Sequence, residues 1–205
     1  MKTTLIIVRH GEAEFNIAHR IHGKLDSPLT EKGVRQAEKA AAALAGIPIH
    51  AIYSSPQQRV ATTAGIIKQG RNCPVTYDQR LAEMDCGAWD GLTEEFIRAE
   101  YPGDMRLWET RPHLHTMPGG ESLADVRARL TAFLKDVLKA NRGRTVLVVS
   151  SQVPVMMMTM IFAQEPDEAL WQTTPQGNTA INVVEVGDER HAVITKRGDS
   201  DHIKY

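Results

Sequence analysis

Cysteine is nearly missing from this sequence of 205 residues: Cys73 and Cys86 are the only two. They form no C-x-x-C pair, and two thiols in a chain of this length make no disulfide framework. Both read as buried or incidental. No long apolar run is present, which argues against a membrane span. The first residues run into a short strand-like segment, with no charged region leading a signal-peptide core. The expected location is therefore cytoplasmic. A net charge of one sign is lacking too. The formal value is -1, with 42% hydrophobic and 24% charged residues, so nothing global attracts nucleic acid and any anionic ligand must be held by local charge. Internal repeats and low-complexity tracts are also absent.

What is present alternates. Strand-like runs at Thr4 to Val8, Ala51 to Ser54, Val146 to Ser150 and Ala180 to Val186 are separated by stretches with helical signals. This pattern predicts one domain over residues 1–205: a three-layer α/β sandwich with a mostly parallel central sheet and helices on both faces. Thr30 is set to cap a first helix whose alanine-rich body, Ala37 to Ala45, stops at Gly46. A second helix is expected to start at Ser55-Pro56, with proline in the first turn. A third follows Ser122, with Asp125 completing a capping box and Leu123, Val126, Leu130, Phe133, Leu134 and Val137 forming one apolar stripe. The run Met156-Met157-Met158 with Met160 reads as a buried helix face. Residues 86–121, rich in tryptophan, proline and glycine, read as an inserted lid of short helices and loops. No linker isolates it as a separate domain.

The carboxyl ends of parallel strands are where open α/β sheets bind ligands. His10, Ser55 and Ser151 fall at such ends. Arg9-His10-Gly11 directly after the first strand suits phosphoryl chemistry. A neutral imidazole attacks phosphorus, a guanidinium clamps two phosphate oxygens, and glycine lets the backbone approach. Taken alone, a hydrogen-bonded histidine near a strand end accounts for His10 equally well.

The rest of the chain changes that balance. Arg9-His10-Gly11-Glu12 with Asn16, the segment Gly23 to Gly33, Ser54-Ser55-Pro56-Gln57-Gln58-Arg59, Leu81 to Gly91 and Gly119-Gly120-Glu121-Ser122 occur in the order found in one family. The sequence resembles the histidine phosphatase (phosphoglycerate mutase-like) superfamily, most closely its cofactor-independent phosphoserine phosphatase branch. By that resemblance His10 is the nucleophile that forms a phosphohistidine, and Arg9 and Arg59 hold the phosphate. Glu83 protonates the leaving oxygen, and Asn16 adds a hydrogen bond. Gly23 and Gln152 border the phosphate. The substrate is a small phosphorylated metabolite, and no metal or organic cofactor is needed.

The resemblance breaks at Ser151, where the family has a second histidine. Serine supplies a hydroxyl but no cation. Three readings follow: a phosphatase weakened by this change, a phosphoglycerate mutase, and a pseudophosphatase that binds a phosphorylated ligand without useful turnover. His22, where relatives have glutamine, is a candidate replacement cation. His113 and His115 in the lid are candidates for contact with the distal part of the substrate, since their spacing lacks the company a zinc site needs. His202 is a candidate to fold back over the pocket. Asp167 to Gln176, with Trp171 and Pro175, fits a homodimer surface or packing within the chain equally well.

Overall fold

The computed structural model describes residues 1–187 and 191–204. Six strands form one sheet in the order β3-β2-β4-β1-β5-β6: β1 (Thr3–Arg9), β2 (Ala51–Ser54), β3 (Val75–Tyr77), β4 (Thr145–Ser150), β5 (Ile181–Val186) and β6 (Ala192–Asp199). The first four are mutually parallel, with Leu5 opposite Val146 and Ile52 opposite Leu147. β5 runs antiparallel to β1, and β6 antiparallel to β5. The sheet is mostly parallel, as expected.

Two apolar layers show why β1 and β4 read as unbroken apolar runs. Successive side chains point to opposite faces, so a strand covered on both sides needs apolar residues at every position. Leu5, Ile7, Val146 and Val148 pack into one core with α6 (Leu123–Ala140) and α7 (Gln152–Ala163). Ile6, Val8, Leu147 and Val149 pack into the other with α2 (Glu31–Ala43) and α3 (Gln58–Lys68). The capping box of α6 forms as predicted, and all six residues of its stripe are buried; losing such a cap costs about 1 kcal/mol. Thr30 caps α2 by accepting from the Gly33 amide. Met156 to Met158 and Met160 are buried in α7.

The start of α3 differs from expectation. The helix begins at Gln58, with Gln57 rather than Ser55 as its flanking residue. The hydroxyl of Ser55 accepts from the Gln57 amide at 3.3 Å, holding a bend before the helix. The Gln58 amide is capped from outside the segment by the Asp26 carboxylate. Strands β3 and β6 were not anticipated. They lie at the two edges of the sheet, where half-exposed or polar residues such as Tyr77, Lys196 and Arg197 leave no apolar period to read.

Residues 86–121 form α4 (Glu94–Glu100), α5 (Pro102–Thr110) and short 3-10 turns. Trp89, Ile97 and Met105 join the core on the α6–α7 face, so this insertion is anchored rather than loosely appended. Its two ends meet at Gly87, which has φ +50° and where a Cβ would stand 2.1 Å from the Pro118 carbonyl oxygen. No side chain larger than glycine fits there. Among the described residues no helix is long and apolar enough to cross a membrane.

Candidate active site

His10 follows the last residue of β1, and its backbone is fastened on both sides. Its amide donates to Ser150 at 3.0 Å, and its carbonyl accepts from the Thr179 amide at 3.2 Å. The side chain is 2% exposed. Nδ1 lies 2.7 Å from the Gly11 carbonyl oxygen. A carbonyl only accepts, so Nδ1 carries the proton and Nε2 keeps its lone pair. Burial, then the positive charges of Arg9 and Arg59, push the imidazole well below its ordinary pKa. It is neutral at neutral pH, the form required of a nucleophile.

The loop after His10 lies directly on the first turn of α2. A Cβ on Gly11 would sit 2.4 Å from the Gly33 carbonyl oxygen, and one on Gly33 would sit 1.9 Å from that of Glu12. Glu12 secures this approach by pairing with Lys32 at 2.8 Å and accepting from the Thr30 hydroxyl at 3.0 Å. Thr63 ties the loop to α3: its hydroxyl accepts from the Gly11 amide and donates to the Arg59 carbonyl.

Both arginines are buried. Arg9 donates from Nη1 to the Gln176 carbonyl at 2.5 Å. Arg59, fully buried, donates from Nη1 to Asp26 at 2.7 Å and to the Leu25 carbonyl at 3.3 Å, and from Nη2 to the His22 carbonyl at 3.4 Å. The Nε of each arginine is buried without a protein acceptor. Buried donors of this kind are rare, and guanidinium groups are suited to an anion. Burial lowers the Arg9 pKa to about 10, partly offset by Glu83, so the group stays charged at neutral pH.

Glu83 has its pKa raised, and the main cause is burial rather than crowding by negative charge. One carboxylate oxygen accepts from the Met84 amide at 2.8 Å, and the other lies 3.5 Å from the Val153 amide. Asn16 turns its side-chain oxygen to the Ala13 amide at 2.9 Å. Gly23 is held by the Asp90 carboxylate, 2.7 Å from its amide. Ser151 flanks the start of α7 and is fully buried, and its hydroxyl has no partner.

A cavity of about 310 Å³ opens against some of these groups. Arg9, His10, Asn16, His22, Glu83 and Gln152 line it. Arg59, Ser151 and Gly23 do not reach its lining, although the charge of Arg59 acts on His10, Glu83 and His22. His22 stacks on Phe15 at 4.8 Å, meets the Ser27 hydroxyl at 2.9 Å and has its ring 6.3 Å from that of His10. Burial, then Arg59, pushes its pKa down to about 3. In the free protein His22 is therefore a neutral ring, not the standing replacement cation it was read as.

The two lid histidines are not among the lining residues either. His115 is 3% exposed and packs between Trp89 and Trp108, its ring 5.1 Å from the first and 6.2 Å from the second. His113 sits in a 3-10 turn. The insertion instead sends Trp108 into the cavity, and Trp171 and Met117 line it too. Trp171 is engaged within the chain, donating from Nε1 to the Trp108 carbonyl at 2.7 Å. His202 does fold back, but onto Thr179 at 3.1 Å rather than into the cavity. Among the described residues no group of three or more histidines, cysteines or carboxylates is arranged to hold a metal.

Gln57, one residue of the Ser54 to Arg59 motif, links two parts of the site. Its Nε2 donates to the Gly23 carbonyl at 2.7 Å, and its Oε1 accepts from the Glu83 amide at 2.8 Å. A glutamine among other polar residues carries no sequence signal of such a role. Tryptophans in an insertion rich in proline and glycine offered a weak one for Trp108.

The profile of the histidine phosphatase superfamily (branch 1) matches residues 5–198. Phosphoserine phosphatase 1 of Hydrogenobacter thermophilus is 37% identical over 199 residues, covering 97% of this chain and 93% of its own. A probable phosphoglycerate mutase, GpmB, of Salmonella choleraesuis is 36% identical over 144 residues, covering 70% of this chain and 67% of its own. Among solved structures, YhfR of Bacillus stearothermophilus superposes with a TM-score of 0.95 at 33% identity, covering 98% of this chain and all of its own. A phosphoserine phosphatase variant from Entamoeba histolytica, solved with phosphoserine, has a TM-score of 0.84 at 27% identity, covering 98% of this chain and 99% of its own. With a buried histidine just beyond the carboxyl end of β1, its pKa lowered by burial and by the charges of Arg9 and Arg59, and a profile match over nearly its whole length, the chain belongs to the histidine phosphatase superfamily.

Proposed function

We propose that the protein hydrolyses small phosphate monoesters in two steps through a phosphohistidine at His10. The observation that carries this reading is the fixed tautomer of His10, with Nδ1 engaged by Gly11 and Nε2 left as a lone pair beside two guanidinium groups whose Nε atoms lack acceptors. In the first step Nε2 attacks phosphorus, the ester P–O bond breaks, and the leaving oxygen takes the proton of Glu83. In the second step water attacks the same phosphorus, the N–P bond breaks, and Glu83 recovers a proton from the water as inorganic phosphate leaves. The arginines oppose the charge spread over the equatorial oxygens in both steps. Asn16 is free to donate from its amide nitrogen, because its oxygen is already occupied. The scheme uses no metal or organic cofactor, and a cytoplasmic setting suits metabolite esters as substrates.

Ser151 favours a second reading, a binder of phosphorylated ligands with poor turnover. Losing one preorganised donor costs roughly 2.7 to 4 kcal/mol, or about a hundred- to thousandfold in rate. Phosphate-monoester hydrolases gain up to about 10²¹-fold over water, so a loss of that size leaves an enzyme. The relative named as a probable mutase motivates a third test, conversion between 2- and 3-phosphoglycerate with a bisphosphate primer.

The deciding experiment is rapid quench with a panel of phosphomonoesters, followed by mass spectrometry of the His10 peptide. Phosphate release with transient phosphorylation of His10 is the expected result. Tight substrate binding without release would favour the binder, and a panel that is neither bound nor turned over would overturn both.

A further inference from the structure

Beyond the phosphate, the cavity has two kinds of wall, and burial orders them by depth. Met84, Met117 and Val153 line it and are 1%, 2% and 7% exposed. Two of these adjoin the acid: Met84 follows Glu83 in sequence, and the Val153 amide lies 3.5 Å from the Glu83 carboxylate. The leaving group departs with the proton of Glu83, so its first atoms pass along this apolar surface. Trp108 and Trp171 continue the wall outward, their rings meeting edge-on at 5.0 Å and locked by the Trp171 hydrogen bond. The polar lining residues His19, Arg20 and Glu94 are all exposed and sit at the mouth.

We infer that Trp108, Trp171, Met117 and Val153 form a subsite for an aromatic leaving group, so that the preferred esters carry an aryl ring one or two carbons from the phosphate oxygen. The inference rests on the proposed phosphatase reading. An indole pair held at a right angle offers a ring both face and edge contacts, which aromatic groups favour. A short zwitterionic leaving group such as serine fits less well. Its ammonium and carboxylate would lose water against methionine and valine side chains, which return no hydrogen bonds.

The test compares 2-phenylethyl phosphate with ethyl phosphate and phosphoserine. The first two have similar alkoxide leaving groups and differ chiefly in the ring, so intrinsic reactivity is held nearly constant. The unaltered protein is expected to show kcat/KM at least about tenfold higher for the phenylethyl ester than for either other ester, the factor expected from burying one ring. Trp171→Ala, at a site 39% exposed and so tolerant of change, is expected to shrink the phenylethyl-to-ethyl ratio by about threefold or more. Quenching of tryptophan fluorescence by 2-phenylethyl phosphate, but not by ethyl phosphate, reads the same contact without turnover. Ratios near one together with equal quenching would overturn the subsite. Selective quenching without hydrolysis of any ester would keep the subsite and defeat the phosphatase reading.

Discussion

The side-chain oxygen of Gln57 lies 2.8 Å from the backbone nitrogen of Glu83, while the nitrogen of the same amide donates to the Gly23 carbonyl at 2.7 Å. One planar group thereby ties the Glu83 backbone to the Gly23 loop. Gln57→Leu keeps the volume and removes both bonds. It is expected to lower kcat for alkyl phosphates by about tenfold, the cost of a loosened acid. Hydrolysis of p-nitrophenyl phosphate, whose phenolate leaves without a proton, should fall by less than about twofold. Equal losses on both substrates would assign Gln57 a general structural role instead.

The pH profile follows from two displaced groups. In the proposed scheme Glu83 must be protonated in the first step, and its pKa is raised. Turnover of alkyl esters therefore falls as pH rises through that value. His10 must be neutral, and its pKa is depressed, so the acidic limb lies below the ordinary histidine range. Glu83→Gln is expected to cost about a hundredfold or more on alkyl esters and to erase the alkaline limb. A limb that survives in this variant would show that another group supplies the proton.

At position 151 a small hydroxyl is enclosed without a partner. Ser151→His adds a donor beside the start of α7, and kcat is expected to rise by about a hundredfold. Ser151→Ala removes only a weak donor and should change kcat by less than about tenfold. Steady-state rates for the two variants, with melting temperatures to verify folding, decide the matter. No gain from the histidine would mean that the backbone amides of α7 already do its work.

Stability should weaken in acid because of His22 as well as His10. In the unfolded chain His22 binds a proton near its ordinary value, whereas in the folded protein it does so only near pH 3. Between those values unfolding takes up a proton, so stability is complete above about pH 6.5 and declines as pH falls. A one-proton difference contributes a slope of roughly 1.4 kcal/mol per pH unit between the two pKa values, and partial solvent contact at His22 narrows that interval. His22→Gln is expected to flatten the dependence of melting temperature on pH between about 6.5 and 4. An unchanged slope would contradict the depressed pKa.

Much of this molecule was legible in the order of its residues. Continuous apolar runs over β1 and β4 announced strands covered on both faces, because alternating side chains there feed two separate cores. The Ser122–Asp125 box and the α6 stripe were equally plain, since a cap and a helical period are local patterns. Arg9 and His10 could be named from the chemistry of their triplet, and Asn16, Arg59 and Glu83 from motifs that resemble those of the family. The edge strands and the delayed start of α3 could not be read. An edge strand need not be apolar, and the α3 cap is supplied by Asp26, remote in sequence.

Sequence alone decided the fold class and brought His10 forward as the proposed nucleophile, since both rest on patterns of neighbours along the chain. Folding settled the protonation states and the walls of the cavity. His22 is neutral because burial and the charge of Arg59 surround it. Glu83 has its pKa raised because it is taken out of water. Trp108 and Trp171, far apart in the chain, become one wall by meeting edge-on. Each of these depends on which groups are excluded from solvent together, and that is a property of packing in three dimensions.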